Sequence, residues 1–413
     1  MSETGTATKG ATTATGPRRG LLGSIGPAFI TAALVFGPGS ITTASSMGAS
    51  YGYQLLWVPV IATVLMLCFV DLGVRIGLST DRGLLPTVAH RLTGVVAVLV
   101  GLGSFLVVTS FQAGNSAGTG AAGSLLFGGD ARVFAVAFTL IGLGFVWLPK
   151  LYTIMERTMI VIILVMLVAM VVTAIVARPD PLAAVRGLVP TMPEGSTALV
   201  VGLAATTFSV VGALYQIALV REKGWTAADY RAARRDAVLG TLILGGLSAV
   251  IMIAAAAVLQ PAGVEVTSPA TMAQILHPIG SWAAWLFALG LLAAAFSSLL
   301  GNSAIGGSML AGVFRVDRGG LASVPVKLCI SAVIVLGGVV AVVFGRVPLQ
   351  LIVTAQAVTI IAVPLIGVAM VVLGRHRDRG ALRIGIPQLV LALAGLAFLV
   401  VLAINYVVKL SGS

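Results

Sequence analysis

Charge is scarce in this sequence. Asp, Glu, Lys and Arg make up 9% of its 413 residues, against about 25% in soluble domains. With so few ionic groups the chain cannot clothe a water-facing surface. Cysteine is nearly missing too. Cys68 and Cys329 both lie in apolar stretches, which excludes a disulfide framework and a thiolate cluster. The three histidines, His90, His277 and His376, fall at the ends of apolar stretches or between them. No His/Asp/Glu group with metal-ligand spacing lies inside such a stretch. A phosphate-binding glycine loop, a nucleophile elbow and a zinc motif are also missing. An enzyme would have no chemistry to stand on, and no cofactor is implied.

Apolar residue is what the chain has instead: 58% of it, with a mean hydropathy of +1.09. Runs long enough to cross a hydrocarbon core of about 30 Å recur along its whole length. They predict an all-α, multi-pass membrane protein with eleven spans: 23–46, 52–78, 94–127, 132–149, 157–177, 196–220, 238–259, 280–305, 325–345, 348–373 and 386–408. Residues 1–20 are polar and rich in Thr and Gly, and read as a disordered cytoplasmic N-terminus without a signal-peptide pattern. With the N-terminus inside, 20 of the 25 Lys and Arg fall on the cytoplasmic side and 5 outside, a strong orientation signal. The net charge of +12 is then topological and implies no nucleic-acid partner. No loop holds a soluble domain. The segment "TAADYRAARRDAVLG" (226–240) reads as a solvated cytoplasmic connector. Arg outnumbers Lys 20 to 5, and Ala and Gly abound, as expected of a GC-rich bacterium and hence its inner membrane.

The polar residues inside the spans are few. Asp71 is the one acid placed there, four residues before Arg75 and so on the same helix face. The pair reads as a structural ion pair, with a gating or coupling role as the other reading. The rest are amides and hydroxyls: Gln112 and Asn115 on the third span, Ser209 on the sixth with Gly212, Ser297, Ser298 and Asn302 on the eighth, and Gln356 on the tenth. Each can serve as glue between helices, or they can converge on one polar cavity. The stretch "ALVFGPGSITTAS" (33–45) favours the cavity. Gly37, Pro38 and Gly39 break a helix in its middle, and broken spans are how many carriers bind solute at the midplane. We expect residues 37–40 to be non-helical with carbonyls facing the cavity, and the sixth span to unwind near Gly212.

The segment "IGPAFITAALVFGPGSITTASSMGASYGYQLLW" resembles the first-helix signature of the NRAMP family of divalent-metal transporters. "VRIGLSTDRGL", "GTGAAGSLLFGG", "GLVPTMPEG" and "TAQAVTIIAVPL" are similar to later segments of that family, so the resemblance covers nearly the whole chain. It implies a LeuT-like fold of five plus five inverted helices with one extra. The transporter domain is then 21–413, its repeats about 21–178 and about 190–375, its extra helix about 386–408. It also implies metal transport by alternating access, in a monomer embedded in lipid.

The departures carry as much information. Where the family has the Asp and Asn of Asp-Pro-Gly-Asn, this chain has Gly37 and Ser40. The family's Met-Pro-His of the sixth helix aligns with Val210, Val211 and Gly212. The family's proton-carrying acids fall at Gln112 and Asn115, while Gln356 stands at the family's Gln. The resemblance thus assigns substrate binding to Gly37, Ser40, Ser209, Gly212 and Gln356, with only neutral ligands and no confident metal site. A divalent cation at the midplane ordinarily needs anionic oxygen or a good donor set. Small residues at 37, 40 and 212 lead us to expect a roomy cavity. Two readings stay open beside a divergent metal carrier: a carrier of a small organic or neutral polar solute, and a sensor or scaffold that kept the fold.

Overall fold

A computed structural model describes residues 36–80, 83–317, 320–344, 348–375 and 382–411. The N-terminal segment 1–20 and the start of the first span lie outside these residues. Among the described residues every regular element is helical, as lipid demands, because a helix satisfies its own backbone polar groups. The chain opens with α1 (Pro38–Tyr51), α2 (Trp57–Leu78), the short α3 (Leu84–Arg91) and α4 (Gly94–Phe127). Helix α4 covers the predicted span residue for residue. It is capped by Thr93, whose hydroxyl accepts the Val96 N–H at 3.2 Å.

Next come α5 (Ala131–Trp147), α6 (Pro149–Val176), α7 (Pro181–Arg186), α8 (Thr197–Thr207), α9 (Val210–Glu222) and α10 (Tyr230–Val258). The series ends with α11 (Pro269–Ala273), α12 (Ala283–Val313), α13 (Val324–Phe344), α14 (Pro348–Val358), α15 (Val363–Arg375) and α16 (Ile386–Ser411). Seven helices among the described residues are long and apolar enough to cross a membrane. The bent pair Leu349–Ile361 and Val363–Arg375, angled by 45°, makes an eighth. Helix α5 and the part of α6 from Ile160 to Val176 are shorter apolar helices.

Three expectations are corrected. First, α1 begins at Pro38, so Pro38, Gly39 and Ser40 are helical and the irregular residues are Phe36 and Gly37. Proline is well placed there, because a first-turn residue has no N–H partner to lose. Second, the sixth span unwinds at Phe208 and Ser209 rather than near Gly212, which sits inside α9. Third, the segment read as a solvated connector is the first turns of α10, and Asp236 within it is buried at 8% exposure.

The break in the sixth span has visible causes. Ser209 is an N-cap: its Oγ accepts the Gly212 N–H at 3.2 Å, satisfying a donor the helix start would leave free. Phe208, fully buried, turns with φ −91° and ψ 62°. Its ring lies edge-on to Phe69 of α2, centroids 5.0 Å apart. Helix α9 then runs tightly along α2. A Cβ at Gly73 would stand 2.1 Å from the Ala213 carbonyl oxygen, so glycine permits this backbone approach. Helix α1 packs on α10, α8 and α14, with α4 and α12 at its back.

Candidate central site

The start of α1 and the break between α8 and α9 open on one small cavity. It has a volume of about 30 Å³ and is lined by Gly37, Gly39, Ser40, Phe111, Asn115, Thr206, Ser209, Asn302 and Gln356. That is room for about two water molecules. Of the residues expected to bind substrate, Gly37, Ser40, Ser209 and Gln356 are brought together here. Gly212 is not among the lining residues and faces an adjoining space, which it shares with Ser209. Asn115, expected on a proton path, lines the central cavity itself. Gln112 stands behind it, fully buried. Its Oε1 accepts from Asn115 Nδ2 at 3.4 Å, and its side chain lies against Gly337 of α13.

The cavity is not roomy, because amide and hydroxyl groups fill the space that glycine vacates. A Cβ on Gly37 would lie 3.0 Å from Ser298 Oγ and 3.1 Å from Asn115 Oδ1. Gln356 is held in a slot of three glycines from three helices. Cβ atoms at Gly39, Gly114 and Gly202 would lie 2.3, 3.3 and 3.7 Å from its side chain. At 3% exposure its Oε1 has no hydrogen-bond partner in the protein, so it is an acceptor without a donor, which is costly unless a ligand or water supplies one. Gly39, Phe111, Thr206 and Asn302 complete the lining. Of these, Gly39 belongs to the 37–40 stretch expected at the cavity, and Asn302 stood out in the sequence as a polar residue inside a span. Phe111 and Thr206 could be found only from the fold.

The backbone contributes partial charges. The Gly37 carbonyl accepts the Ile41 N–H at 3.5 Å, so it belongs to the helix ladder. The end of α1 at the cavity is its N–H end, contrary to the expected row of carbonyls. Helix α9 also begins here, whereas α8 ends here with its last carbonyls. Helix starts carry partial positive charge and helix ends partial negative charge. Among the described residues, no acidic or basic side chain lines the cavity, and no group of three or more His, Cys, Asp or Glu could hold a metal ion. What the arrangement offers is a neutral set of oxygens and amide groups around a space large enough for about two waters.

Asp71 and Arg75 lie elsewhere, toward the C-terminal end of α2. Arg75 Nε meets Asp71 Oδ2 at 2.8 Å. Tyr230 OH donates to Asp71 Oδ1 at 2.8 Å, and Arg234 Nε approaches the same oxygen at 3.3 Å. Arg75 also donates to the Tyr230 hydroxyl.

Broken and bent membrane helices around a buried central cavity define a transporter of the LeuT-like fold. The match to the family model "natural resistance-associated macrophage protein-like" spans residues 28–409, and the chain belongs to the NRAMP family of multi-pass membrane proteins. Among its sequence relatives is the divalent metal cation transporter MntH of Bacillus subtilis. It is 27% identical over 290 residues, which are 68% of each chain. The MntH of Mycobacterium tuberculosis is 25% identical over 82% of this chain and 80% of its own. In fold the chain is similar to the Eremococcus coleocola manganese transporter. That likeness has a TM-score of 0.74 and 18% identity, over 92% of this chain and 85% of the other. It is also similar to Mhp1, a nucleobase-cation-symport-1 family transporter. There the TM-score is 0.58 at 17% identity, over 94% and 92%.

Proposed function

We propose that this protein is a secondary carrier that moves a divalent metal cation by alternating access, through a central site without charged side chains. One observation carries the reading: the start of α1, the break between α8 and α9, and Gln356 of the bent tenth span converge on one cavity. In it Ser40, Thr206 and Ser209 offer hydroxyls, and Asn115, Asn302 and Gln356 offer amide oxygens. Such hard oxygens suit a cation that prefers oxygen ligands. The space of about 30 Å³ admits the ion only after most of its water is shed.

Proton coupling through the third span has no carrier in this reading, because Gln112 and Asn115 cannot titrate in the physiological range. The eleven-span count, the inverted repeats of about 21–178 and about 190–375, the extra helix and the cytoplasmic N-terminus belong to the same proposal. So do a monomeric state and a bacterial inner membrane. A second reading is supported by the wholly neutral lining: a small uncharged solute bearing both hydrogen-bond donors and acceptors.

Flux into proteoliposomes separates them. Mn²⁺ entry that needs no pH gradient and does not acidify the lumen is the expected result. Strict dependence on a proton gradient overturns the uncoupled mechanism. Failure to move any divalent cation, with uptake of labelled urea, favours the second reading.

A further inference from the structure

Beside the central cavity, a second cavity of about 40 Å³ lies between α2, α9 and α10. Ser209 lines both cavities. The second one adds Met66, Gly212, Gln216, Asp236 and Thr241. A Cβ on Gly212 would lie 3.1 Å from Ser209 Oγ and 3.8 Å from Met66 Cε, so a larger residue there would fill the passage. Thr241 Oγ1 donates its proton to the Ala237 carbonyl at 2.9 Å, which leaves its lone pairs to accept. The lining therefore offers a thioether, two hydroxyl oxygens, an amide and one carboxylate.

That carboxylate is already neutralised from within. Lys223 Nζ stands 2.6 Å from Asp236 Oδ2. The Asp236 side chain is 11% exposed and that of Lys223 is 30%. The ammonium also sits 4.5 Å from the centre of the Trp225 ring, an attractive position for a cation. A buried carboxylate must keep a positive partner, but the partner need not always be lysine. Lys223 has water on one side and an aromatic face beside it, so it has somewhere to go.

The geometry points to a second cation station on the cytoplasmic exit path: Asp236 receives a divalent cation leaving the central site, and Lys223 swings out to make room. When the station is empty, Lys223 returns and occupies it as a tethered counter-ion. This inference rests on the reading of the protein as a cation carrier. Met66 gives the station a soft donor that the central site lacks, so it holds Cd²⁺ more firmly than its oxygens alone would.

Calorimetry with Mn²⁺ and with Cd²⁺ on the purified full chain in detergent tests it. Lys223→Gln removes the internal competitor and should tighten binding of both ions. Asp236→Asn should weaken Mn²⁺ binding by about tenfold or more, since ligand charge sets divalent affinity. Met66→Leu should weaken Cd²⁺ more than Mn²⁺. A merely structural Lys223–Asp236 bridge predicts the opposite for Lys223→Gln: a lower melting temperature and no gain in affinity. If Asp236→Asn does not fold, the Lys223 and Met66 variants still decide. Parent protein that transports Mn²⁺, with variants that all bind as the parent does, overturns the station and leaves the carrier reading standing. Parent protein that neither binds nor moves any divalent cation overturns both.

Discussion

Gln388 of α16 donates from Nε2 to Asp71 Oδ2 of α2 at 2.8 Å, across 317 positions of sequence. With Arg75, Tyr230 and Arg234, this gives one carboxylate donors from three helices. Asp71 thereby ties α2, α10 and α16 together. Asp71→Asn should destabilise the fold by about 3 kcal/mol, because it takes the carboxylate away from the partly buried Arg75 guanidinium. Gln388→Leu, which removes a neutral donor, should cost about 1–2 kcal/mol. Thermal melting in detergent checks both. A variant that melts like the parent and no longer transports would restore the coupling role instead.

Gly39→Ala probes the slot that holds Gln356. The added methyl would lie 2.3 Å from Gln356 Nε2 and 2.6 Å from its Cδ, and Gly114 and Gly202 leave the amide little room to retreat within the slot. The amide must move into the cavity. We expect a stability loss of about 1–3 kcal/mol from overpacking, together with loss of flux. Adding Gln356→Ala should recover most of the stability and none of the flux. Additive losses in the double variant would show that the two residues do not meet.

Gly37→Asp would place a carboxylate where the sequence resemblance puts the family's Asp. The backbone there is extended, φ −101° and ψ −179°, which any residue adopts. Position 37 is also the N-cap of α1, where Asp is among the favoured residues and its charge suits the helix start. The variant should therefore fold as well as the parent and gain measurable Mn²⁺ binding by calorimetry. Its Cβ is tight against Ser298 Oγ at 3.0 Å, so Gly37→Asp with Ser298→Gly should bind more strongly than Gly37→Asp alone. No gain in either would place the site elsewhere.

Orientation is checked by labelling. In a chain with Cys68 and Cys329 replaced by alanine, Ala262→Cys should react with an impermeant maleimide added outside the cell. Ala228→Cys should react only after lysis. The reverse pattern would turn the whole topology over.

The sequence told most where the physics is one-dimensional. Helix α4 is legible because length and hydropathy alone decide a span, and Thr93 marks its start. Arg75 beside Asp71 is legible because both lie on one helix. What it hid depends on neighbours. Residues 37–40 read as a break, yet proline in a first turn tolerates a helix and α1 simply starts at Pro38. Val210 and Val211 drew the expected break toward Gly212, while the N-capping Ser209 placed it three residues earlier. Asp236 passed for a loop residue because its surroundings in sequence are charged, and only the packing of α2 and α9 over it makes it buried. The Gln356 slot needs glycines from three helices, and no single segment records it.

Phe208 has a mechanical consequence. Its ring is wedged between Phe69 of α2 and Gly395 of α16, where a Cβ would lie 3.1 Å from its tip, so the middle of the broken sixth span is held by aromatic packing while α9 stays bound to α2. Helix α8 has 11 residues and α9 has 13, arms of roughly 16 and 20 Å at the rise of an α-helix. In the proposed alternating-access cycle, a tilt about this aromatic fulcrum would have to carry α2 along with α9, because the two are packed backbone to backbone at Gly73 and Ala213. Closing one mouth of the protein and opening the other would then be coupled through that helix pair.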